Sequence, residues 1–244
     1  MSAPFPEEVG GYVLAGGRSS RMGRDKALLE LGGTPLISHA VKKLRRVCMG
    51  VRVLSDNAEL EAYAPVVRDI HPGCGPMSGM EAALRHSAFE WNLFLAVDMP
   101  FVPTAFLSRL LRFIWRPRMN HPWGEWVPQV RMFTADGRPQ PGLSMVHRDI
   151  APFLTDALER GEYKLVPVLE AAAQEVAVRK GVAAGGGIWC LPLTSFEEPR
   201  ENGTLEDWCY TTPAQMAAFP LWFANLNTPE DFAEAERHAD ALDT

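Results

Sequence analysis

The stretch that decides the fold is GYVLAGGRSSRMGRDKALLELGG, Gly11 to Gly33. Tyr12 to Ala15 has the length and composition of a buried strand. It runs straight into Gly16, Gly17, two serines and the basic residues Arg18, Arg21, Arg24 and Lys26, against the single acid Asp25. Adjacent glycines at a strand end let the backbone approach a ligand and aim its N–H groups at anionic oxygens. The basic side chains supply matching positive charge, so a polyphosphate is the natural occupant. On this stretch alone, a phosphate site and a solvated basic loop both stay open. The two standard cradles do not fit: Lys26 comes three residues after Gly23 with Ala27 behind it, which is not a P-loop, and Gly16, Gly17 and Gly23 lack the dinucleotide spacing.

Working outward, Val51–Leu54, Val66–Val67 and Leu93–Val97 read as further short strands. Between them lie helical patterns: Pro35–Arg46, with Leu36, Ala40, Val41 and Leu44 on one face, then Ser78–Ala88 and Pro103–Trp115. Pro35 and Pro103 are expected in first helical turns. Strands alternating with helices predict βαβ units, hence an α/β fold with a mostly parallel central sheet between two helical layers. Ligands of such sheets sit at the carboxyl ends of the strands. That rule singles out Gly16 and Gly17, Asp69, and Asp98. Asp98 either braces a turn or offers a hard oxygen to Mg2+, which takes one or two carboxylates along with phosphate oxygens.

Past residue 115 the pattern loosens. Residues 116–142 and 181–220, rich in Gly, Pro and Trp, read as loops or small β elaborations of one domain spanning 1–244. Helix returns at Thr228–Leu242, with Thr228 as N-cap, Pro229 first and Asp231 third, close to a capping box.

Composition narrows the function. With 244 residues, 47% hydrophobic and 22% charged, the chain fits a globular protein with a sizeable core. A formal charge of −6 argues against general nucleic-acid or anionic-membrane binding. Cys48, Cys74, Cys190 and Cys209 are scattered, and the N-terminal segment has no signal-peptide pattern, so reduced thiols and a cytoplasmic location are expected. The histidines (39, 71, 86, 121, 147 and 238) show no metal-ligand spacing. Ser19 and Ser20 have no nucleophile-elbow setting. The tryptophans, Trp222 among them, are expected in packing roles.

Four segments together, LAGGRSSRMGRDKALLELGGTPL, GPMSGMEAAL, NLFLAVDMPFV and FANLNTPEDF, resemble the successive motifs of the molybdenum cofactor guanylyltransferases, the MobA-type nucleotidyltransferases. The resemblance implies a Rossmann-like, GT-A-like three-layer nucleotidyltransferase fold. It implies transfer of GMP from GTP to the terminal phosphate of molybdopterin or its molybdenum-loaded form, with Mg2+ and release of pyrophosphate. Carried over residue by residue, Leu14, Ala15, Gly16 and Gly17 match the segment holding the nucleotide. Lys26 and Arg21 match phosphate-contacting residues, Asp69 a nucleotide-binding aspartate, and Asp98 the metal-binding aspartate. Ser55 stands where the family often has a nucleotide-contacting asparagine, with Asn57 two residues on; Asn225 and Asn227 match a motif assigned to the acceptor or metal side, or else are turn residues. The second glycine of L-A-G-G favours GTP over CTP. Molybdoenzymes or their chaperones are further expected partners. Another nucleotide or acceptor, such as CTP or a sugar phosphate, and a non-catalytic binding relative remain as alternatives.

Overall fold

The computed structural model describes residues 8–16, 25–115, 128–135, 138–182, 188–192 and 211–243. Gly17 and Arg21 lie outside the described residues, as do 116–127, 136–137, 183–187 and 193–210 of the loops expected at 116–142 and 181–220. The first strand, β1 (Val9–Leu14), starts three residues earlier than the sequence pattern predicts. Gly10 and Gly11 read as breakers, but they sit where neighbours come close. A Cβ on Gly10 would come within 2.9 Å of the Phe89 ring, and one on Gly11 within 3.1 Å of Cys48.

The short strands β2 (Glu30–Leu31) and β3 (Thr34–Pro35) form a hairpin. Its turn residues, Gly32 and Gly33, have φ of +57° and +71°, the left-handed pair that a tight hairpin turn requires. There follow α1 (Leu36–Val47), β4 (Gly50–Leu54), β5 (Val66–Val67), α2 (Pro76–His86), β6 (Trp91–Ala96) and α3 (Thr104–Trp115). Pro35 and Pro103 stand one position before their helices instead of inside the first turn. The remaining elements are β7 (Val130–Ala135), β8 (Arg138–His147), α4 (Ala151–Glu159), α5 (Leu165–Arg179), β9 (Ile188–Pro192), α6 (Pro213–Ala217) and α7 (Pro229–Glu236).

Seven strands form one sheet in the order β5-β4-β1-β6-β8-β7-β9. β5, β4, β1 and β6 are parallel to their neighbours, β8 is antiparallel to both β6 and β7, and β9 runs parallel to β7. The described strands within 130–147 and 188–192 are therefore members of the central sheet, not loops beside it. Alternation along each strand feeds two cores. Val9, Val13, Leu93 and Leu95 face α1, α3 and the 212–243 segment, including fully buried Trp222. Tyr12, Leu54, Phe94 and Val146 face α2, α4 and α5. The result is the three-layer α/β/α sandwich expected from the sequence. Among the described residues, no helix is long and apolar enough to cross a membrane.

Candidate nucleotide-binding site

Because β5, β4, β1 and β6 are parallel neighbours, their carboxyl ends line up along one edge of the sheet. Asp69 follows β5, Ser55 and Asn57 follow β4, Gly16 follows β1, and Asp98 follows β6. Three strand spacings put the two outer positions about 14 Å apart, a distance that a nucleoside triphosphate spans.

The β1 end is held on both sides: Ala15 N–H donates to Leu54 O at 3.1 Å, and Val97 N–H donates to Leu14 O at 3.1 Å. Leu14 and Ala15 are half-buried and Gly16 is exposed. A Cβ on Gly16 would only reach ordinary contact with Leu54 O at 3.5 Å, and its φ is not positive. Among the described residues, nothing in the fold demands glycine at position 16.

Lys26 opens a single 3-10 turn, Lys26–Leu28, capped by Asp25, whose Oδ1 accepts from Ala27 N–H at 3.0 Å. Its ammonium donates to Asp98 Oδ2 at 2.8 Å and to Asn227 Oδ1 at 2.7 Å. Residues 72 and 201 positions apart therefore meet on one cation. Leu226 N–H donates to Asp98 O at 3.0 Å, which ties the residue before Asn227 to the end of β6. Asn227 in turn is set by Asp231, whose Oδ2 accepts the N–H groups of Asn227 at 2.7 Å and Thr228 at 2.8 Å. Those bonds hold the Asp231 carboxyl below its ordinary range. Thr228 Oγ1 accepts from Asp231 N–H at 3.1 Å, completing the capping box of α7, and the helix ends at Glu236 instead of Leu242. Asn225 is exposed and reaches Asn227 only through its backbone oxygen, at 3.4 Å.

On the β4 side, Asn57 is engaged at both ends of its amide. Its Nδ2 donates to Asp25 Oδ2 at 2.6 Å, and its Oδ1 accepts from Glu59 N–H at 2.9 Å. It thus braces the turn that carries Lys26. Ser55 Oγ accepts from Asn57 N–H at 3.1 Å, inside the same turn. Asp69 stands apart from the Lys26 group and lies against Gly79 of α2, where a Cβ would come to 3.2 Å from its Oδ1. Burial first, then the charges of Asp56 and Glu81, push its carboxyl up to about 6.

The structure therefore joins Lys26, Asp98 and Asn227 directly and sets Gly16, Ser55, Asn57 and Asp69 along the same edge. Sequence reasoning missed the bracing role of Asp25 and the buried Lys43 behind Pro100; in sequence Asp25 is only the one acid in a basic loop. Buried His39 has its Nε2 3.0 Å from Leu31 O. Trp222 donates from Nε1 to Gln215 O at 2.8 Å in the core.

A divalent cation fits the donors present. The Lys26 ammonium already stands as a positive charge between a carboxylate oxygen and an amide oxygen, the hard-oxygen set that Mg2+-like ions take. No group of three or more His, Cys, Asp or Glu able to cage a metal occurs among the described residues. Asp98 and Asn227 would thus hold a cation together with oxygens of the substrate.

A parallel sheet edge with Gly16 at its centre and Lys26 paired to Asp98 beside it, in a three-layer sandwich, goes with the nucleotidyltransferases of the α/β/α class. Residues 11–176 match the family described as MobA-like NTP transferase domain, and the chain belongs to that family. It is 35% identical over 173 residues to a molybdenum cofactor guanylyltransferase of Serratia proteamaculans, covering 68% of this chain and 81% of that one. It is 31% identical over 248 residues to a molybdenum cofactor guanylyltransferase of Rhizobium johnstonii, covering 96% and 94%. Among solved structures, molybdopterin-guanine dinucleotide biosynthesis protein A of Archaeoglobus fulgidus matches with a TM-score of 0.64 at 21% identity, covering 95% of this chain and 98% of that one. The 2-C-methyl-D-erythritol 4-phosphate cytidylyltransferase of Thermus thermophilus matches with a TM-score of 0.55 at 15% identity, covering 96% and 99%. Both share the fold.

Proposed function

We propose that this chain transfers GMP from GTP to the terminal phosphate of molybdopterin or its molybdenum-loaded form, releasing pyrophosphate and leaving the guanine dinucleotide cofactor. The observation that carries the reading is the meeting of Lys26, Asp98 and Asn227 beside the end of β1. The relatives named molybdenum cofactor guanylyltransferase supply the choice of nucleotide and acceptor.

The reaction needs no strong base. A phosphate oxygen of the acceptor attacks the α-phosphorus in line, a new P–O bond forms, and the bond to the bridging oxygen breaks with its electron pair leaving on pyrophosphate. The barrier lies in bringing two anions together and in the charge on the leaving group. In this reading Leu14, Ala15 and Gly16 receive the nucleoside and its first phosphate, Ser55 and Asp69 lie toward the nucleoside, and Lys26 moves from Asp98 onto the phosphate oxygens. Gly17 and Arg21, outside the described residues, would join them, Gly17 on the nucleotide and Arg21 on its triphosphate. Asp98, with Asn227 beside it, would hold Mg2+, which would supply Lewis-acid charge to the phosphates. Asn225 would serve the acceptor side. The reading takes 1–244 as one nucleotidyltransferase domain working in the cytoplasm, with free thiols at Cys48 and Cys74 in keeping with it.

The test is pyrophosphate release together with mass detection of the dinucleotide product, using molybdopterin with GTP, CTP or ATP in turn. Product with GTP, and its loss in Asp98→Ala with the fold retained, is the expected outcome. Equal or better turnover with CTP or ATP, or near-normal product from Asp98→Ala, would refute the assignment.

A further inference from the structure

Lys43 lies on α1 with 1% of its surface exposed, in the core layer between that helix and the sheet. Burying an ammonium is among the most unfavourable things a core can do, and a methionine fills nearly the same volume without that penalty. Packing alone therefore does not explain the residue; its hydrogen bond and charge do. The ammonium donates to the carbonyl oxygen of Pro100, two residues beyond Asp98. Asp243 is the acid whose field stabilises that charge. Asp243 is itself fully used: its Oδ2 accepts from Thr104 N–H at 2.6 Å and Thr104 Oγ1–H at 2.5 Å, at the start of α3, and its Oδ1 accepts from Gln215 Nε2. The turn Asp98–Pro100 is thereby gripped from two directions, by Leu226 N–H on the Asp98 carbonyl and by Lys43 on the Pro100 carbonyl. Both grips lead into the 212–243 segment, which also delivers Asn227.

We propose that Lys43 is a positioning residue: through its hydrogen bond to the Pro100 carbonyl it fixes the Asp98–Pro100 backbone so that the Asp98 carboxylate meets the divalent cation brought by GTP. The inference rests on the guanylyl-transfer reading for the identity of the nucleotide. Lys43 touches neither substrate nor cation and acts through the backbone of the turn.

The test uses the full chain carrying Lys43→Met or Lys43→Leu. Mn2+ is titrated, with paramagnetic resonance as the readout, into each protein saturated with a non-hydrolysable GTP analogue; kcat, KM for GTP and Tm are measured alongside. Losing an outer support of a metal ligand is expected to weaken Mn2+ binding and lower kcat about tenfold each, with KM for GTP little changed. Weakened Mn2+ binding in either variant supports the proposal. Mn2+ binding equal to the native chain in both overturns it, whatever Tm does, because a purely structural lysine would move Tm alone. Lys43→Leu, a smaller apolar side chain that also cannot reach the Pro100 carbonyl as a donor, decides the matter if Lys43→Met fails to fold. A native chain that makes no dinucleotide product would sink the functional reading, while the Mn2+ titration would still judge Lys43.

Discussion

Substituting Lys26 by methionine is expected to move two properties of the protein in opposite directions. In the unliganded chain its ammonium sits 2.8 Å from Asp98 Oδ2, with side-chain exposures of 15% and 21%. At that separation and an effective dielectric constant of about 20, the gross attraction is about 6 kcal/mol. Desolvation and side-chain ordering remove most of it, and a half-buried pair of this kind retains about 1–2 kcal/mol. A cation arriving without nucleotide must displace that ammonium, so the pair suppresses bare-metal binding by the same amount. Lys26→Met should then bind Mn2+ in the absence of nucleotide about 5- to 30-fold more tightly than the native chain, at 1.4 kcal/mol per factor of ten. In the presence of GTP, the phosphates lose their lysine, and turnover should fall by about 10²-fold or more. Calorimetric titration with MnCl2 measures the first effect, and pyrophosphate release the second. A variant that binds bare Mn2+ no better than the native protein would refute the reasoning, because the ammonium would then not be what keeps Asp98 from a cation.

Gly16→Ala meets only an ordinary 3.5 Å contact at unstrained φ, so Tm should hold or rise slightly while GTP affinity drops about tenfold or more, equivalent to about 1.4 kcal/mol; a Tm loss of several degrees with unchanged GTP binding would return the glycine to a purely structural role. Asp69 is an acid whose folded value is raised to about 6, from an unfolded value of about 4. Its contribution to stability is present in full below about pH 4 and is lost as pH rises through about 6. Asp69→Asn escapes that loss, so its Tm should exceed the native value at pH 7–8 and the gap should close toward pH 4, while GTP binding weakens. An equal Tm difference at every pH would exclude this cause.

Much of the parallel half of the fold was legible because its strands and helices follow simple periods. Leu36, Ala40, Val41 and Leu44 do lie on the buried face of α1, and Thr228, Pro229 and Asp231 do form the start of α7. The antiparallel half was not, because Pro139, Pro141 and Gly142 make β8 read as a loop. Pro139 pairs only with β7, while Pro141 and Gly142 fall in the register irregularity between the Gln140 and Ser144 pairs; pairing with β6 begins at Leu143. Proline is tolerated there because the missing N–H faces no second neighbour. Gly142 sits where the two strands first approach, with space for a Cβ only 3.0 Å from Ala96. The helical spacing of α5, Leu165, Val168, Leu169, Ala172, Ala173 and Val176, was present in the sequence and passed over. Motifs in the sequence offer the candidate site residues one by one, but not their meeting. No local pattern tells that Lys26 shares its charge between Asp98 and Asn227, because that contact exists only after the sheet and the 212–243 segment have assembled.

The seam between β6 and β8 is where the sheet changes from parallel to antiparallel, and it is no weaker than its neighbours: five residue pairs join β6 to β8, as five join β1 to β4. On one side, four parallel strands carry Gly16, Ser55, Asp69 and Asp98 along a single edge. Both cores run beneath the seam, with Phe133, Leu143 and Met145 beside Val13 and Leu95 on one face, and Val130, Met132 and Val146 beside Tyr12 and Phe94 on the other. A core substitution in β7 or β8 is therefore transmitted through shared packing to the strands that carry that edge.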